Sequence, residues 1–183
     1  IGNNGLTYPN SVKLLETGIF PTPPEASYTV KGNQDQEANG YKKGSYDYET
    51  KVFSWEVGFN FNSNTLTDAV FEDVLPDTQK VGKVYIEKYS INPSGNWIGD
   101  GNKEEQENRA SEPNKIKLEL GDIGADAYVV TYTSVDADGT FPVGDVKIKN
   151  TAMLKDGEIS KGSWTAEVTV HHTDKVVQKS GSQ

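Results

Sequence analysis

The sequence predicts an all-β fold, an antiparallel sandwich, and three observations carry that expectation. From Phe53 to Phe61 every odd position (Phe53, Trp55, Val57, Phe59, Phe61) is large and apolar, the mark of a strand with one buried face. No stretch repeats apolar residues at helical spacing over three turns, so no amphipathic helix is expected. Gly, Asn, Asp, Ser and Pro punctuate the chain at short intervals, as they do between the short strands of sandwiches.

Seven strands follow in order. The first is the run 53–61, and the turn-rich Asn62-Ser63-Asn64-Thr65 separates it from 69–75, which Pro76-Asp77 closes. The others are 84–90, 115–120, 127–135, 146–154 and 164–170. Between the third and fourth, residues 92–114 are long, polar and acidic, with little to bury, and read as a surface excursion. Trp97 within it is expected to pin the loop onto the sheet rather than to stack on a ligand.

Composition narrows the function classes. The 183 residues suffice for one ordinary domain. Eighteen Lys and Arg against 27 Asp and Glu give a net charge of −9, which disfavours nucleic acid as a partner. There is no run of eighteen apolar residues and no charged start followed by an apolar core, so neither a membrane span nor a signal peptide is expected within these boundaries. Cysteine is absent, which removes disulfides, thiolate nucleophiles and thiolate metal sites together. The adjacent His171 and His172 point to opposite faces of an extended chain and make a poor metal pair. Asp136-Ala137-Asp138-Gly139 lacks the further acids of a calcium loop and reads as a hairpin turn. No cofactor and no metal is expected.

An internal repeat sets the domain organisation. Shifted by 140 positions, Asn10, Leu14, Ile19, Ala26, Thr29 and Val30 fall on Asn150, Leu154, Ile159, Ala166, Thr169 and Val170 without a gap. Lys42-Lys43-Gly44-Ser45 falls on Lys179-Ser180-Gly181-Ser182 at a shift three residues shorter, the difference lying in a polar linker. The expectation is a tandem module of roughly 140 residues. Residues 1–32 are then the tail of a preceding copy, 33–172 one complete module, and 173–183 the start of the next.

Two polar residues stand where the pattern calls for apolar ones. Asp73 shares a strand face with Phe71 and Leu75, and Asn150 shares one with Val146, Ile148, Ala152 and Leu154. A buried acid and a buried amide both need partners. Lys42 precedes Gly44-Ser45-Tyr46 just ahead of the most hydrophobic strand. If it faces inward as well, burial favours its neutral, nucleophilic form and the protonated form of Asp73. A protonated Asp73 would donate to the amide oxygen of Asn150 and shuttle protons while Lys42 attacks and ammonia leaves, giving an isopeptide bond. Lys43 is the adjacent rival and Lys31 a more distant one; the repeat match of Lys42 to Lys179 selects Lys42.

Lys42-x-Gly44 leading into Phe53-Ser54-Trp55-Glu56-Val57 and a strand end with Asn60, then Phe71-Glu72-Asp73-Val74-Leu75-Pro76, Ala127-Tyr128-Val129-Val130-Thr131-Tyr132-Thr133 and Lys149-Asn150-Thr151-Ala152 together resemble the isopeptide-forming immunoglobulin-like domains of Gram-positive surface adhesins, of the collagen-adhesin type. The resemblance covers most of residues 40–170. It implies an immunoglobulin-like β-sandwich in which Lys42 and Asn150 are cross-linked and Asp73 is the catalytic acid, a single-turnover reaction rather than an enzyme's. It also implies an extracellular, cell-wall-anchored protein whose partners are adjacent repeats and a host matrix protein.

The first functional expectation is a stalk module of such an adhesin, because spacers are reiterated and binding heads are usually singular. The second is a ligand-binding head that holds a collagen-like matrix protein on the sandwich face or the 92–114 loop. A third, an enzyme or carbohydrate-binding module using Asp100, Glu104, Glu105 and Glu107, is weak, because these acids lie in a mixed charge run with Lys103 and Arg109 that reads as solvated surface.

Overall fold

The computed structural model describes residues 6–11, 25–30, 37–92, 96–139 and 144–172. The strands are β1 (Leu6–Ser11), β2 (Glu25–Val30), β3 (Gly40–Asp47), β4 (Val52–Phe59), β5 (Ala69–Val74), β6 (Gln79–Ile91), β7 (Trp97–Gly99), β8 (Glu104–Gln106), β9 (Lys115–Gly121), β10 (Ala127–Asp136), β11 (Gly144–Asp156) and β12 (Ile159–His172). All pairings are antiparallel. One sheet runs β3-β4-β10-β6-β7, with β8 also on β6; the other runs β12-β11-β5-β9. The seven expected strands are present, and the all-β sandwich is borne out.

The two sheets bury alternate residues against each other. The larger contributes Phe53, Trp55, Val57 and Phe59 from β4, Val84 and Ile86 from β6, and Val130 and Tyr132 from β10. The smaller contributes Phe71 from β5, Ile116 and Leu118 from β9, Ile148, Ala152 and Leu154 from β11, and Val168 and Val170 from β12. β3, not foreseen as a strand because its residues are largely polar, forms the edge of the larger sheet beside β4. Its entry is tied to β12 of the other sheet: Trp164 Nε1 donates to the Ala38 carbonyl at 2.9 Å and Asn39 Nδ2 to the Lys161 carbonyl at 3.0 Å. Gly44 permits this approach, since a Cβ there would stand 2.4 Å from the Trp55 ring and 2.7 Å from a Val168 methyl.

The excursion after β6 folds back along the β6 edge of the larger sheet, where β7 and β8 pair antiparallel with β6. There Trp97 stacks on Phe61 with ring centroids 4.8 Å apart, over a small second cluster of Phe61, Ala127 and Val129. The pinning role expected of Trp97 is what the structure shows. Asp136 to Gly139 form a turn, with Asp138 N donating to Asp136 Oδ1 and Gly139 N to the Asp136 carbonyl.

β1 and β2 make their own two-stranded sheet. β2 thus takes its ladder partner from β1. The pairing register is informative. Asn10 pairs with Ala26 and Leu6 with Val30; in the β11–β12 hairpin Asn150 pairs with Ala166 and Val146 with Val170. The 140-residue offset read from the sequence carries one register onto the other. Lys31, Lys179 and the 173–183 segment lie outside the described residues.

Candidate functional site

The site sits between the sheets. On β5, Asp73 pairs with Ala152 of β11, and Asn150, two residues along, shares the face of Ala152. Asp73 and Asn150 are thus diagonal neighbours, a spacing of roughly 7–8 Å that leaves room for a side chain from the opposite sheet. The exit of β5 is clamped by Asn114, whose Nδ2 donates to the Leu75 carbonyl at 2.8 Å and to Asp77 Oδ1 at 3.0 Å. Asp77, rather than Asp73, serves the turn. From the larger sheet, Lys42 of β3 lies opposite Val57 and Tyr132 of β10 opposite Trp55.

Lys42 and Asp73 side chains are wholly excluded from solvent, and Asn150 is fully buried. Lys42 Nζ donates to Asp73 Oδ2 and, at 3.0 Å, to the Tyr132 hydroxyl. That hydroxyl donates to Asp73 Oδ2 at 2.5 Å and accepts from Asn150 Nδ2 at 2.7 Å. One phenol oxygen therefore touches all three residues singled out in the sequence. Lys43 points outward, with its ammonium 4.3 Å from the centre of the Tyr41 ring and exposed to solvent.

The direct hydrogen bond expected from Asp73 to the Asn150 amide oxygen is not made. Tyr132 stands between them, and Asn150 Oδ1 and Asp73 Oδ1 are both buried without a hydrogen-bond partner. Sequence reasoning gave Tyr132 no role. The available signal was parity: Tyr132 alternates with the inward-facing Val130, and an inward tyrosine must find a partner for its hydroxyl.

The surroundings are dry and aromatic. Lys42 Nζ lies 5.5 Å from the centre of the Trp55 ring, which offsets part of the cost of burying an ammonium. Trp55 is held by a buried chain, donating from Nε1 to Ser134 Oγ at 3.0 Å, while Ser134 Oγ donates to Gln79 Oε1 at 3.0 Å. Burial pushes the Lys42 pKa down against the opposing pull of Asp73. Burial likewise pushes the Asp73 carboxyl up, against Lys42 and the Tyr132 hydrogen bond, and it raises the Tyr132 phenol well above its ordinary value. All three shifts favour neutral groups, the condition under which an amine is nucleophilic and an acid can donate.

The other candidates do not assemble. Glu105 pairs with Lys83 at 2.9 Å and Arg109 with Glu119 at 3.0 Å, both on the surface, while Asp100 accepts from Asn102 N in a turn. Glu104 is exposed beside Glu105 on β8, and Lys103 and Glu107 are exposed as well. His171 Nδ1 lies 2.6 Å from Asp145 Oδ1. Among the described residues no three His, Cys, Asp or Glu side chains gather to hold a metal, and no helix is long and apolar enough to cross a membrane.

The coupling of Lys42 to Asp73 gives a pH test in an Asn150→Ala background, which has no acceptor amide. Adding Asp73→Asn removes both influences that raise the lysine, so its folded-state pKa falls further below the ordinary 10.5. As pH falls, the unfolded chain then takes the proton first. Stability is greatest above 10.5 and is lost as pH falls through the lowered folded-state value. The raised Asp73 carboxyl contributes the reverse trend, stability held below its ordinary 3.8 and lost as pH rises through its folded-state value, and Asp73→Asn abolishes it. Urea midpoints of the double variant should therefore climb with pH across the alkaline range more steeply than those of Asn150→Ala alone; equal slopes would refute the coupling.

A family model described as the collagen binding domain matches residues 37–164. Among solved structures, the chain is similar to the Enterococcus faecalis MSCRAMM ACE, which binds its ligands by the collagen hug model. Identity is 16%, the TM-score is 0.50, and the alignment covers 90% of this chain and 60% of that one. It is also similar to the collagen-binding domain of a Staphylococcus aureus adhesin (13% identity, TM-score 0.47, 73% of this chain and 97% of that one). A third is the collagen-binding domain of Erysipelothrix rhusiopathiae surface protein RspB (10% identity, TM-score 0.45, 94% and 61%). The chain spans about three fifths of the length of the ACE and RspB structures. No curated protein matches it in sequence. At such identities the likeness to ACE shows the fold, an immunoglobulin-like adhesin sandwich. With a family match running from the strand that carries Lys42 to the hairpin beyond Asn150, the protein belongs to the collagen binding domain family.

Proposed function

We propose that this chain is an extracellular adhesin module that binds a collagen-like matrix protein and staples itself with an amide bond between Lys42 and Asn150, Asp73 acting as the acid. The observation that carries the staple is the enclosed cluster in which a lysine, an acid and a primary amide share one phenol. An ion pair this deeply buried is a poor source of stability by itself, so a reaction that consumes it accounts for its being there. An Nζ–Cγ amide would close a loop of roughly 110 residues and, on the chain-entropy model, stabilise the fold by about 4.7 kcal/mol. Unlike a disulfide, which this cysteine-free chain cannot form, an amide is also indifferent to thiol reductants.

Family membership supports ligand binding, and the outer face of the larger sheet offers the room. A groove of about 720 Å³ there is bordered by Lys43, Ser45, Glu56, Lys83, Tyr85 and Thr131, a size within the usual range for ligand sites. The stalk reading rests on the repeat, which the shared register of the β1–β2 and β11–β12 hairpins supports. In that reading residues 1–32 close a preceding module, residues 173–183 open the next, and the parent is anchored to the cell wall.

Two experiments test the proposal. Intact mass of the wild type should fall one ammonia short of the sequence mass, while Lys42→Ala, Asp73→Ala and Asn150→Ala keep the full mass; a full-mass wild type would remove the staple. Immobilised collagen should retain the wild type, and Thr131→Arg, which fills the groove from a surface position, should weaken binding at least about tenfold without changing the melting temperature. Undiminished binding by that variant would move the ligand elsewhere.

A further inference from the structure

We propose that Tyr132 is a catalytic proton relay in the cross-linking step, passing a proton from Asp73 to the departing Asn150 nitrogen; this rests on the cross-linking reading above. The geometry points to it because the Tyr132 oxygen lies 3.0 Å from the attacking nitrogen, 2.7 Å from the leaving nitrogen and 2.5 Å from Asp73 Oδ2. Asp73 has no hydrogen bond of its own to Asn150, and Asn150 Oδ1 has no partner among the described residues. A direct transfer from acid to amide therefore has no path, whereas the phenol provides one.

The proton account closes. The Lys42 ammonium first gives one proton to Asp73 Oδ2, along the hydrogen bond that joins them. Once protonated, Asp73 becomes a donor and the hydrogen bond to the phenol reverses. The phenol's own hydrogen is then free to turn toward Asn150 Nδ2. The Nζ lone pair attacks Asn150 Cγ, the Nζ–Cγ bond forms, and the carbonyl π electrons move onto Oδ1. Asp73 hands its proton to the phenol oxygen as the phenol hands its hydrogen to Nδ2, and Asp73 takes the second proton from Nζ. The Oδ1 electrons re-form the carbonyl, the Cγ–Nδ2 bond breaks, and ammonia leaves. Of the three ammonium protons, one stays on the new amide, one is balanced by that delivered to ammonia, and one remains on Asp73. No oxidant or further reactant is needed.

The relay also explains why an inward tyrosine is useful at this position. A phenylalanine would fill the same space but leave Nδ2 without a proton donor. A positioned proton donor contributes on the order of 10²-fold or more in rate.

The test uses full-length chains made by cell-free synthesis, quenched at intervals and weighed intact. Wild type should lose ammonia soon after folding, and Tyr132→Phe should do so on the order of 10²-fold more slowly while showing the same near-ultraviolet circular dichroism. Because Tyr132→Phe leaves polar groups unpaired and so destabilises the fold, 3,5-difluorotyrosine at position 132 supplies a second reading: it keeps the ring, and its more acidic phenol should shift the rate and its pH profile. If wild type loses ammonia and both variants match its rate and pH profile, Tyr132 is no relay. If wild type never loses ammonia, the cross-linking reading itself fails, and the relay with it.

Discussion

A lysine and an aspartate facing one another in a water-free interior form the constraint around which this sandwich is built. Taking both charges out of water costs more than their attraction returns unless further partners are supplied. The fold supplies them from both layers. Tyr132 comes from the central strand β10, Asn150 from the facing strand β11, and the Trp55 ring flanks the ammonium from β4. Neutralisation by proton transfer is the remaining way to lower the cost, and the burial-driven shifts of Lys42 and Asp73 both run in that direction. The desolvation that makes the pair costly is also what would make it reactive.

The architecture around the cluster serves to bring an edge strand within reach of the opposite sheet. β3 is polar and short of apolar anchors, yet Trp164, Asn39 and the missing side chain of Gly44 draw it against β12. Lys42 can then turn inward while Lys43, one residue on, faces solvent. The outer face of the same sheet is built separately. Trp97 seals one end of it by stacking on Phe61, and beside that seal the sheet presents a groove of mixed polarity. On the proposed reading, covalent chemistry inside and recognition outside would use alternate residues of the same strands.

Much of this was legible in the sequence because strand parity is a strong signal. The apolar alternation around Phe53 to Phe61 marked β4, and the same parity exposed Asp73 and Asn150 as polar residues aimed at the core. β3 escaped because an edge strand held by contacts to a distant hairpin leaves no apolar pattern of its own. β7 and β8 escaped because three-residue strands inside a polar excursion are set by pairing to β6, not by local preference. Tyr132 was visible as an inward residue, but its role depends on a diagonal gap between Asp73 and Asn150 that only the β5–β11 register defines. The repeat offset could be read in the sequence, while the shared hairpin register required the ladder.

The covalent account has a mechanical consequence with a sharp boundary. Asn150 lies on β11, not on the last strand, so a bond to Lys42 shields the chain between them and leaves β12 outside the protected loop. Single-molecule pulling from the two ends tests this most directly. The account predicts that the wild-type module lengthens only by releasing residues 151–172, roughly 75 Å, whereas Lys42→Ala also releases the enclosed loop, roughly 360 Å more. A wild type that yields the long extension as readily as Lys42→Ala would contradict it.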